Sequence, residues 1–250
     1  MPTPIIVVPA RMASTRLPGK PLALINGVPM ILHVLARGQE AGLGPVVIAA
    51  ADQAIVDVVT AHGGDAVLTD PDHASGSDRI VEAIGRFDPG RRFDTIINVQ
   101  GDLPTIAPAA IAAALHLLTD PKVDIGTLAA EITRPTERDD PNVVKAVFEP
   151  ASIDPRRGRA LYFTRATAPT GKGPLYHHIG LYAYRRDALD RFVTAPPSFL
   201  ERRERLEQLR ALALGLRIEV ALVDDVPLGV DTPEDLPRAA ALLEAQGYGG

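Results

Sequence analysis

The first half of the chain alternates short apolar runs with stretches of helical periodicity, and this alternation limits the possible fold more than any other feature. Predicted strands occupy residues 4–9, 46–50, 65–68 and 94–100, and predicted helices occupy 29–41, 53–61, 78–87 and 108–118. Unbroken apolar runs indicate strands buried on both faces, and a helix after each strand indicates parallel pairing. The sequence therefore predicts an α/β fold with a doubly wound, mostly parallel sheet.

From residue 124 onward, strand-like segments are joined by polar or Pro/Gly-rich connections. We predict strands at residues 124–132, 143–148, 160–164 and 178–185, a long helix at 199–214, a strand at 218–223 and a closing helix at 233–245. Thr232 is expected to cap the closing helix, with Pro233 at its first position. Without a linker or repeat, the pattern predicts one domain over residues 1–250 with an inserted mixed-sheet lobe at about 123–190.

Composition excludes several classes of protein. The chain has no cysteine, which rules out disulfides, zinc–thiolate sites and thiol nucleophiles. Its opening, MPTPIIVVPARM, does not resemble a signal peptide, and no apolar run approaches the roughly 20 residues of a membrane span. We therefore expect a cytoplasmic protein without membrane insertion.

The distribution of charge is more informative than its total. A net charge of −5 argues against a general nucleic-acid binder. Residues 1–39 nevertheless contain Arg11, Arg16, Lys20 and Arg37 and no acid, since the first is Glu40. A basic opening on an acidic chain indicates a local site for an anion.

The basic loop PARMASTRLPGKPL (residues 9–22) directly follows the first predicted strand. It leaves the carboxyl edge of the sheet, where open α/β folds bind ligands. Its two arginines and its lysine suit the many oxygens and the charge of a triphosphate. It lacks GxxxxGK[ST] and GxGxxG, so it is neither a P-loop nor a dinucleotide fingerprint. The residues alone also allow a solvated turn.

Two carboxylates at opposite ends of the chain are candidate metal ligands. Asp102 follows the predicted strand 94–100, at the sheet edge where it could hold Mg²⁺ against phosphate oxygens. Read alone, Asp102 also fits a turn or a helix cap. Asp231 belongs to the sequence Asp-Thr-Pro-Glu-Asp, which is equally a favourable helix start.

The sequence Ser75-Gly76-Ser77-Asp78-Arg79 precedes a predicted helix. Its backbone N–H groups could face a phosphate or a base, and simple capping by Ser77 is the alternative.

At this point the residues support a resemblance. The basic loop resembles the signature of sugar nucleotidyltransferases, specifically the CMP-Kdo synthetase (3-deoxy-manno-octulosonate cytidylyltransferase) family. Seven further blocks resemble that family in the same order: HASGSDR (73–79), NVQGDLP (98–104), PNVVK (141–145), LYFTRA (161–166), HIGLY (178–182), LEQLR (206–210) and GVDTPED (229–235). Together the blocks span nearly the whole chain. Leu103 departs from the glutamate of many members, Ser77-Asp78 replaces their usual Thr-Glu, and residues 168–176 are shorter and lack their tryptophan.

The resemblance implies a Rossmann-like nucleotidyltransferase fold. It also implies transfer of CMP from CTP to the anomeric hydroxyl of 3-deoxy-D-manno-octulosonate (Kdo), which gives CMP-Kdo and pyrophosphate for lipopolysaccharide synthesis. Mg²⁺ is the implied cofactor, CTP and Kdo are the implied substrates, and a homodimer formed through the inserted lobe is the implied assembly. The alternative within this chemistry is a cytidylyltransferase for another acidic sugar, an amino-Kdo or a sialic acid.

The resemblance also assigns residues. The implied catalytic residues are Arg11, Lys20, Asp102 and Asp231, the last two as metal ligands. The implied nucleotide-binding residues are Ala10, Arg11, Ser14, Arg16, Lys20, Ser75, Gly76, Ser77, Arg79 and Gln100, with Gln100 reading the cytosine edge. The implied sugar-binding residues are Arg165, His178, Tyr182, Glu207 and Gln208. For His178, a purely structural histidine is the alternative.

Two other classes of protein compete with this interpretation. A nucleotide-binding sensor without turnover is disfavoured because Asp102 and Asp231 are both retained beside Lys20. A nicotinamide oxidoreductase is disfavoured by the missing glycine fingerprint.

Overall fold

The computed structural model describes residues 2–247; residues 1 and 248–250, the ends of the predicted domain 1–250, lie outside them. The first elements are β1 (Pro4–Ala10), β2 (Leu24–Ile25), β3 (Val28–Pro29), α1 (Met30–Glu40), β4 (Val46–Ala50), α2 (Gln53–Ala61), β5 (Asp65–Leu68), α3 (Gly76–Phe87), β6 (Thr95–Asn98) and α4 (Pro108–His116). The later elements are β7 (Ile125–Glu131), α5 (Pro135–Arg138), β8 (Lys145–Pro150), β9 (Arg157–Thr164), β10 (Tyr176–Arg185), α6 (Arg186–Thr194), α7 (Phe199–Glu204), α8 (Gln208–Ala213), β11 (Ile218–Val223) and α9 (Asp235–Ala245). The predicted α/β class is confirmed.

The chain divides into two compact units, one of residues 2–112 with 227–247 and one of residues 113–226. In the first unit the strand order is β5-β4-β1-β6, and each of these pairings is parallel. The side chains from Ile5 to Val8 in the inner strand β1 are fully buried. This burial on both faces explains why the strand reads as an unbroken apolar run.

The second unit contains strands in the order β10-β7-β11-β9-β8. Strand β7 pairs parallel to β11 and antiparallel to β10, while β9 pairs antiparallel to both β11 and β8. The register of β10 against β7 shifts between Ile179 and Tyr182. Such an irregularity re-aims side chains locally, and His178 lies just before it. Whether residues 123–190 act as a sugar-binding and dimerisation lobe stays a prediction.

The predicted long helix at 199–214 is wrong. Two short helices, α7 and α8, replace it, and the chain between them turns at Arg205, which has a left-handed backbone (φ 56°). The carbonyl of Glu201 accepts from the N–H groups of both Arg205 and Leu206, which closes α7. Gln208, the first residue of α8, is buried.

The alternative cap at Ser77 and the predicted cap at Thr232 are both wrong. Helix α3 begins at Gly76, and Ser75, not Ser77, caps it in a reciprocal pair with Asp78. Helix α9 begins at Asp235 after its cap residue Glu234, so Thr232 is not the cap and Pro233 is not at the first helical position. The carboxylate of Asp235 accepts from the backbone N–H groups of Asp231 and Thr232 and from the Thr232 hydroxyl. The carboxylate has two oxygens and about four lone-pair sites, so it can accept from all three donors.

The hairpin formed by β2 and β3 and the helices α5 and α6 were not predicted. Within residues 2–247, no helix has the length and apolar character required to cross a membrane.

Candidate active site

The basic loop is a folded structure that starts where β1 ends. The Met12 N–H donates to the Asp52 carboxylate (2.8 Å), and the Gly19 N–H donates to the Met12 carbonyl (3.2 Å). Leu17 is buried in an apolar cluster whose other members are Ile25, Met30, Val230, Ala239 and Leu243. The loop is therefore anchored on both sides of Arg16, and it packs against the residue that precedes Asp231.

Lys20 lies between the two candidate metal ligands. Its Nζ is 2.8 Å from Asp102 Oδ2 and 3.1 Å from Asp231 Oδ1, and Arg16 lies 3.1 Å from the other Asp231 oxygen. Burial lowers the pKa of Lys20, but the two carboxylates outweigh burial and hold that pKa above its usual value. The ammonium is therefore charged at neutral pH.

Backbone contacts bring the two carboxylates together. The Val230 N–H donates to the Asp102 carbonyl (2.9 Å), which places the segment before α9 beside the end of β6. Gly101 fits there because a Cβ at this position would lie 2.7 Å from the Pro9 carbonyl oxygen. This close approach joins the ends of β1 and β6, from which the basic loop and Asp102 both start.

A cleft of about 450 Å³ surrounds these groups. Its walls include all four predicted catalytic residues and every predicted nucleotide-binding residue except Ser77, whose side chain is buried. Gln100 is part of the wall, and its Nε2 donates to the Asn98 side-chain oxygen (3.1 Å). The structure thus gathers residues from the sequence blocks at 9–22, 73–79, 98–104 and 229–235 around one cavity.

Arg79 lines the cleft but uses its guanidinium within the protein. It donates to the Thr69 hydroxyl (2.6 Å) and to the carbonyls of Asp70 (2.9 Å) and Pro71 (3.3 Å). Burial, and then the nearby charge of Arg11, lower the pKa of Arg79. These contacts give Arg79 the role of holding the segment before α3 in place.

Several residues of the cleft wall were not predicted from the sequence, among them Ala13, Thr15 and His73. His73 contacts the carboxylate of Glu82 on α3. The resemblance blocks contain all three, but a block alone does not tell which of its side chains face a cavity.

The predicted sugar-binding residues lie in the second unit. His178 is 8 % exposed; its Nε2 is 3.1 Å from the Thr127 hydroxyl and its Nδ1 is 3.5 Å from Gln208 Nε2. Burial, with a smaller effect from His177, lowers the pKa of His178 to about 3. The imidazole is therefore neutral at ordinary pH, and it contacts the rings of Phe163 and Tyr182 with centroids 4.7 and 5.6 Å away.

Tyr182 and Glu207 influence each other electrostatically. Burial, and then the charge of Glu207, raise the pKa of Tyr182, so its hydroxyl keeps its proton. Glu207 is partly exposed and lies 3.7 Å from Arg210.

Arg165 is held by backbone carbonyls. Its Nε donates to Glu204 (2.9 Å), and its terminal nitrogens reach Pro141 (2.9 Å) and Arg205 (3.5 Å). Two of these carbonyls belong to the break between α7 and α8. The guanidinium thus stabilises the turn that carries Glu207 and Gln208.

The carboxylate pair fits a magnesium ion. Because Asp102 and Asp231 both reach one ammonium, their oxygens can converge on a single cation. Mg²⁺ is commonly held by one or two carboxylates, with substrate phosphates and water as its other ligands. Within residues 2–247 no cluster of three or more His, Asp or Glu side chains could hold a metal, so an all-protein cage is not found there.

Comparison with known proteins agrees with this geometry. The model of the cytidylyltransferase family matches residues 5–218. The 3-deoxy-manno-octulosonate cytidylyltransferase of Rhodospirillum centenum is 67% identical over 96% of this chain and 93% of its own. The 3-deoxy-manno-octulosonate cytidylyltransferase of Paramagnetospirillum magneticum is 63% identical over 97% of this chain and 98% of its own. A solved structure of CMP:2-keto-3-deoxy-manno-octonic acid synthetase complexed with CTP superposes with a TM-score of 0.88, at 38% identity over 97% of this chain and 99% of that chain.

Proposed function

The chain belongs to the 3-deoxy-manno-octulosonate cytidylyltransferase family, and from this membership and the geometry of the cleft we propose its reaction. The protein transfers CMP from CTP to the anomeric hydroxyl of Kdo and releases pyrophosphate, and the product serves lipopolysaccharide synthesis. The observation that carries the proposal is the convergence of Lys20, Asp102 and Asp231 in one cleft beside Arg16. The fold proposed to support it is the Rossmann-like nucleotidyltransferase fold, with a doubly wound sheet.

The cleft supplies what phosphoryl transfer requires, which is positioning and neutralisation of charge. Arg11 and Lys20 neutralise the triphosphate, and Arg16 stabilises the pyrophosphate as it leaves. Gln100 reads the cytosine edge through its amide, which carries both a donor and an acceptor. The hydroxyl of Ser75 is engaged with Asp78, so the backbone N–H groups at the start of α3 are the donors that the nucleotide meets there.

Magnesium is the proposed cofactor, and Asp102 and Asp231 are its proposed protein ligands. When bound, Mg²⁺ would neutralise phosphate charge and lower the pKa of the attacking hydroxyl. Lys20 contacts both carboxylates and lines the same cleft. With Mg²⁺ held by the carboxylates, its ammonium would be free to bind the phosphates.

The residues proposed to bind Kdo are Arg165, His178, Tyr182, Glu207 and Gln208. The contacts of Arg165 with three carbonyls support a role in shaping the turn at residues 204–208 as well as in attracting the sugar carboxylate. Residues 123–190 are proposed as the lobe through which two copies form a homodimer, and a cytoplasmic location is also proposed.

Pyrophosphate release tests the proposal. The protein is incubated with Mg²⁺, each of the four nucleoside triphosphates, and a panel containing Kdo, an amino-Kdo and a sialic acid. Release with CTP and Kdo alone supports the proposed reaction. Release only with another acidic sugar would assign the alternative substrate, and no release with any pairing would reject nucleotidyl transfer.

A further inference from the structure

Thr127 is a fully buried threonine in β7 whose hydroxyl has three polar neighbours. Its Oγ1 lies 2.8 Å from the Leu181 carbonyl, 3.3 Å from the Ile179 carbonyl and 3.1 Å from His178 Nε2. The two carbonyls can only accept, and the hydroxyl has one proton to donate. The hydroxyl donates this proton to the Leu181 carbonyl, the nearer of the two. If it donated to His178 Nε2 instead, two carbonyl oxygens would face the hydroxyl oxygen with no proton between them.

This assignment fixes the tautomer of His178. Because the Thr127 hydroxyl donates its proton to the Leu181 carbonyl, it can only accept from the ring. Nε2 of His178 therefore carries the imidazole proton. Burial lowers the pKa of His178 to about 3, so the ring holds one proton and Nδ1 is an acceptor. The neighbour of Nδ1 is the amide nitrogen of Gln208, at 3.5 Å, which is the donor that an unprotonated Nδ1 requires.

From this chain of contacts we infer that Thr127 is a positioning residue for the acceptor sugar: it sets the His178 tautomer, which in turn orients the Gln208 amide. The Gln208 nitrogen faces the ring, so its carbonyl oxygen is the end presented to a sugar hydroxyl. The inference rests on the proposed function, in which Gln208 binds Kdo. Without the Thr127 hydroxyl, the ring proton loses its buried acceptor and moves to Nδ1. Gln208 must then turn its oxygen toward the ring.

The first measurement is the tautomer itself. Long-range ¹H–¹⁵N correlation spectra distinguish an Nε2–H ring from an Nδ1–H ring, and a His178→Asn variant identifies the signal among the six histidines. We expect Nε2–H in the wild type at pH 7. An Nδ1–H ring or an imidazolium in the wild type would overturn the inference, and this reading needs neither a Thr127 variant nor turnover.

The second measurement compares variants that remove or keep the Thr127 hydroxyl with a control at another threonine. Thr127→Val removes the hydroxyl, Thr127→Ser keeps it, and Thr194→Val removes a hydroxyl that bonds only within α6. We expect Thr127→Val to lose the pure Nε2–H signal and to raise KM for Kdo about 10-fold, the effect of one lost hydrogen bond. KM for CTP should stay unchanged, and Thr127→Ser and Thr194→Val should resemble the wild type.

An unchanged KM for Kdo in a folded Thr127→Val protein, or equal rises for Kdo and CTP, would overturn the positioning role. Thr127→Ala serves if the valine variant does not fold. If the wild type forms no product from CTP and Kdo, the proposed function fails, whereas the ring spectrum still decides the tautomer.

Discussion

Lys20 and Asp231 are separated by 211 positions in the sequence, yet Lys20 Nζ lies 3.1 Å from Asp231 Oδ1. The same ammonium reaches Asp102 at 2.8 Å. Three segments that are distant in the sequence thus lie around the Lys20 ammonium. The basic loop is anchored by the Leu17 cluster, Asp102 by the close approach at Gly101, and Asp231 by the Asp235 carboxylate at the start of α9. The cleft is therefore assembled by the fold, not by a local motif.

Replacing Lys20 with methionine should abolish most activity, because it removes the ammonium and keeps the aliphatic stem. We expect CMP-Kdo formation to fall by about 10²–10³-fold, the range found when one preorganised donor to developing charge is removed. The rate at saturating CTP and Kdo measures this. Lys122→Met, on an exposed side chain, is the matched control and should behave as the wild type.

Acid stability should depend on His178. Its pKa is lowered from 6.5 to about 3 by burial, so the unfolded chain binds a proton between these values and the folded protein does not. The free energy of unfolding is therefore undiminished by this group above pH 6.5 and falls by about 1.4 kcal/mol per pH unit between 6.5 and 3. Urea unfolding of the wild type and of His178→Asn at several pH values between 6.5 and 3 measures how the free energy of unfolding changes with pH in each protein. The same change with pH in both proteins would show that His178 does not contribute.

The buried ion pair between Glu201 and Arg210 should contribute to stability. Glu201 accepts from Arg210 at 2.9 and 2.5 Å and from the Ser198 N–H at 2.8 Å. Glu201→Gln removes the charge that compensates Arg210, and we expect the free energy of unfolding to fall by about 3 kcal/mol. Asp224→Asn, at the exposed pair with Arg156, is the control and should cause no measurable change. Equal effects at the two pairs would contradict this account.

Gly101 should not tolerate a methyl group. Because an added Cβ would lie 2.7 Å from the Pro9 carbonyl oxygen, the ends of β1 and β6 must separate in Gly101→Ala. We expect a loss of about 1–3 kcal/mol of stability and weaker CTP binding. Urea unfolding and titration calorimetry with CTP measure the two effects. Gly90→Ala, where no atom lies within 4 Å of the added carbon, should leave both unchanged.

The inner strands of the first unit were predictable because burial on both faces leaves a continuous apolar run. The predicted segment 46–50 matches β4, whose residues are all buried. The segment 65–68 also matches β5, although no residue of this edge strand is fully buried. The β2–β3 hairpin was missed although Asn26 and Gly27, both at positive φ, form the Asn-Gly turn that favours such hairpins. Its strands have only two residues each, too few for an alternating pattern to show.

The later part of the chain was less predictable because tertiary contacts decide it. The helical pattern of residues 199–214 continues through Arg205, but the carbonyls freed at the break are bound by Arg165, some 40 positions earlier. The sequence blocks identified Arg79 and Arg165 as candidate site residues. They did not indicate that both guanidinium groups bind backbone carbonyls. Contacts of that kind depend on the folded chain and have no local signal.

The most direct test of the central claim is CMP-Kdo formation by the wild type and by Asp102→Asn, at saturating CTP, Kdo and Mg²⁺, with CTP affinity measured separately by calorimetry. The proposed role of the carboxylate pair predicts that the wild type forms CMP-Kdo and that the asparagine variant forms it at least about 100-fold more slowly, since an amide carries no charge to hold Mg²⁺. Near-normal turnover by Asp102→Asn would contradict the account.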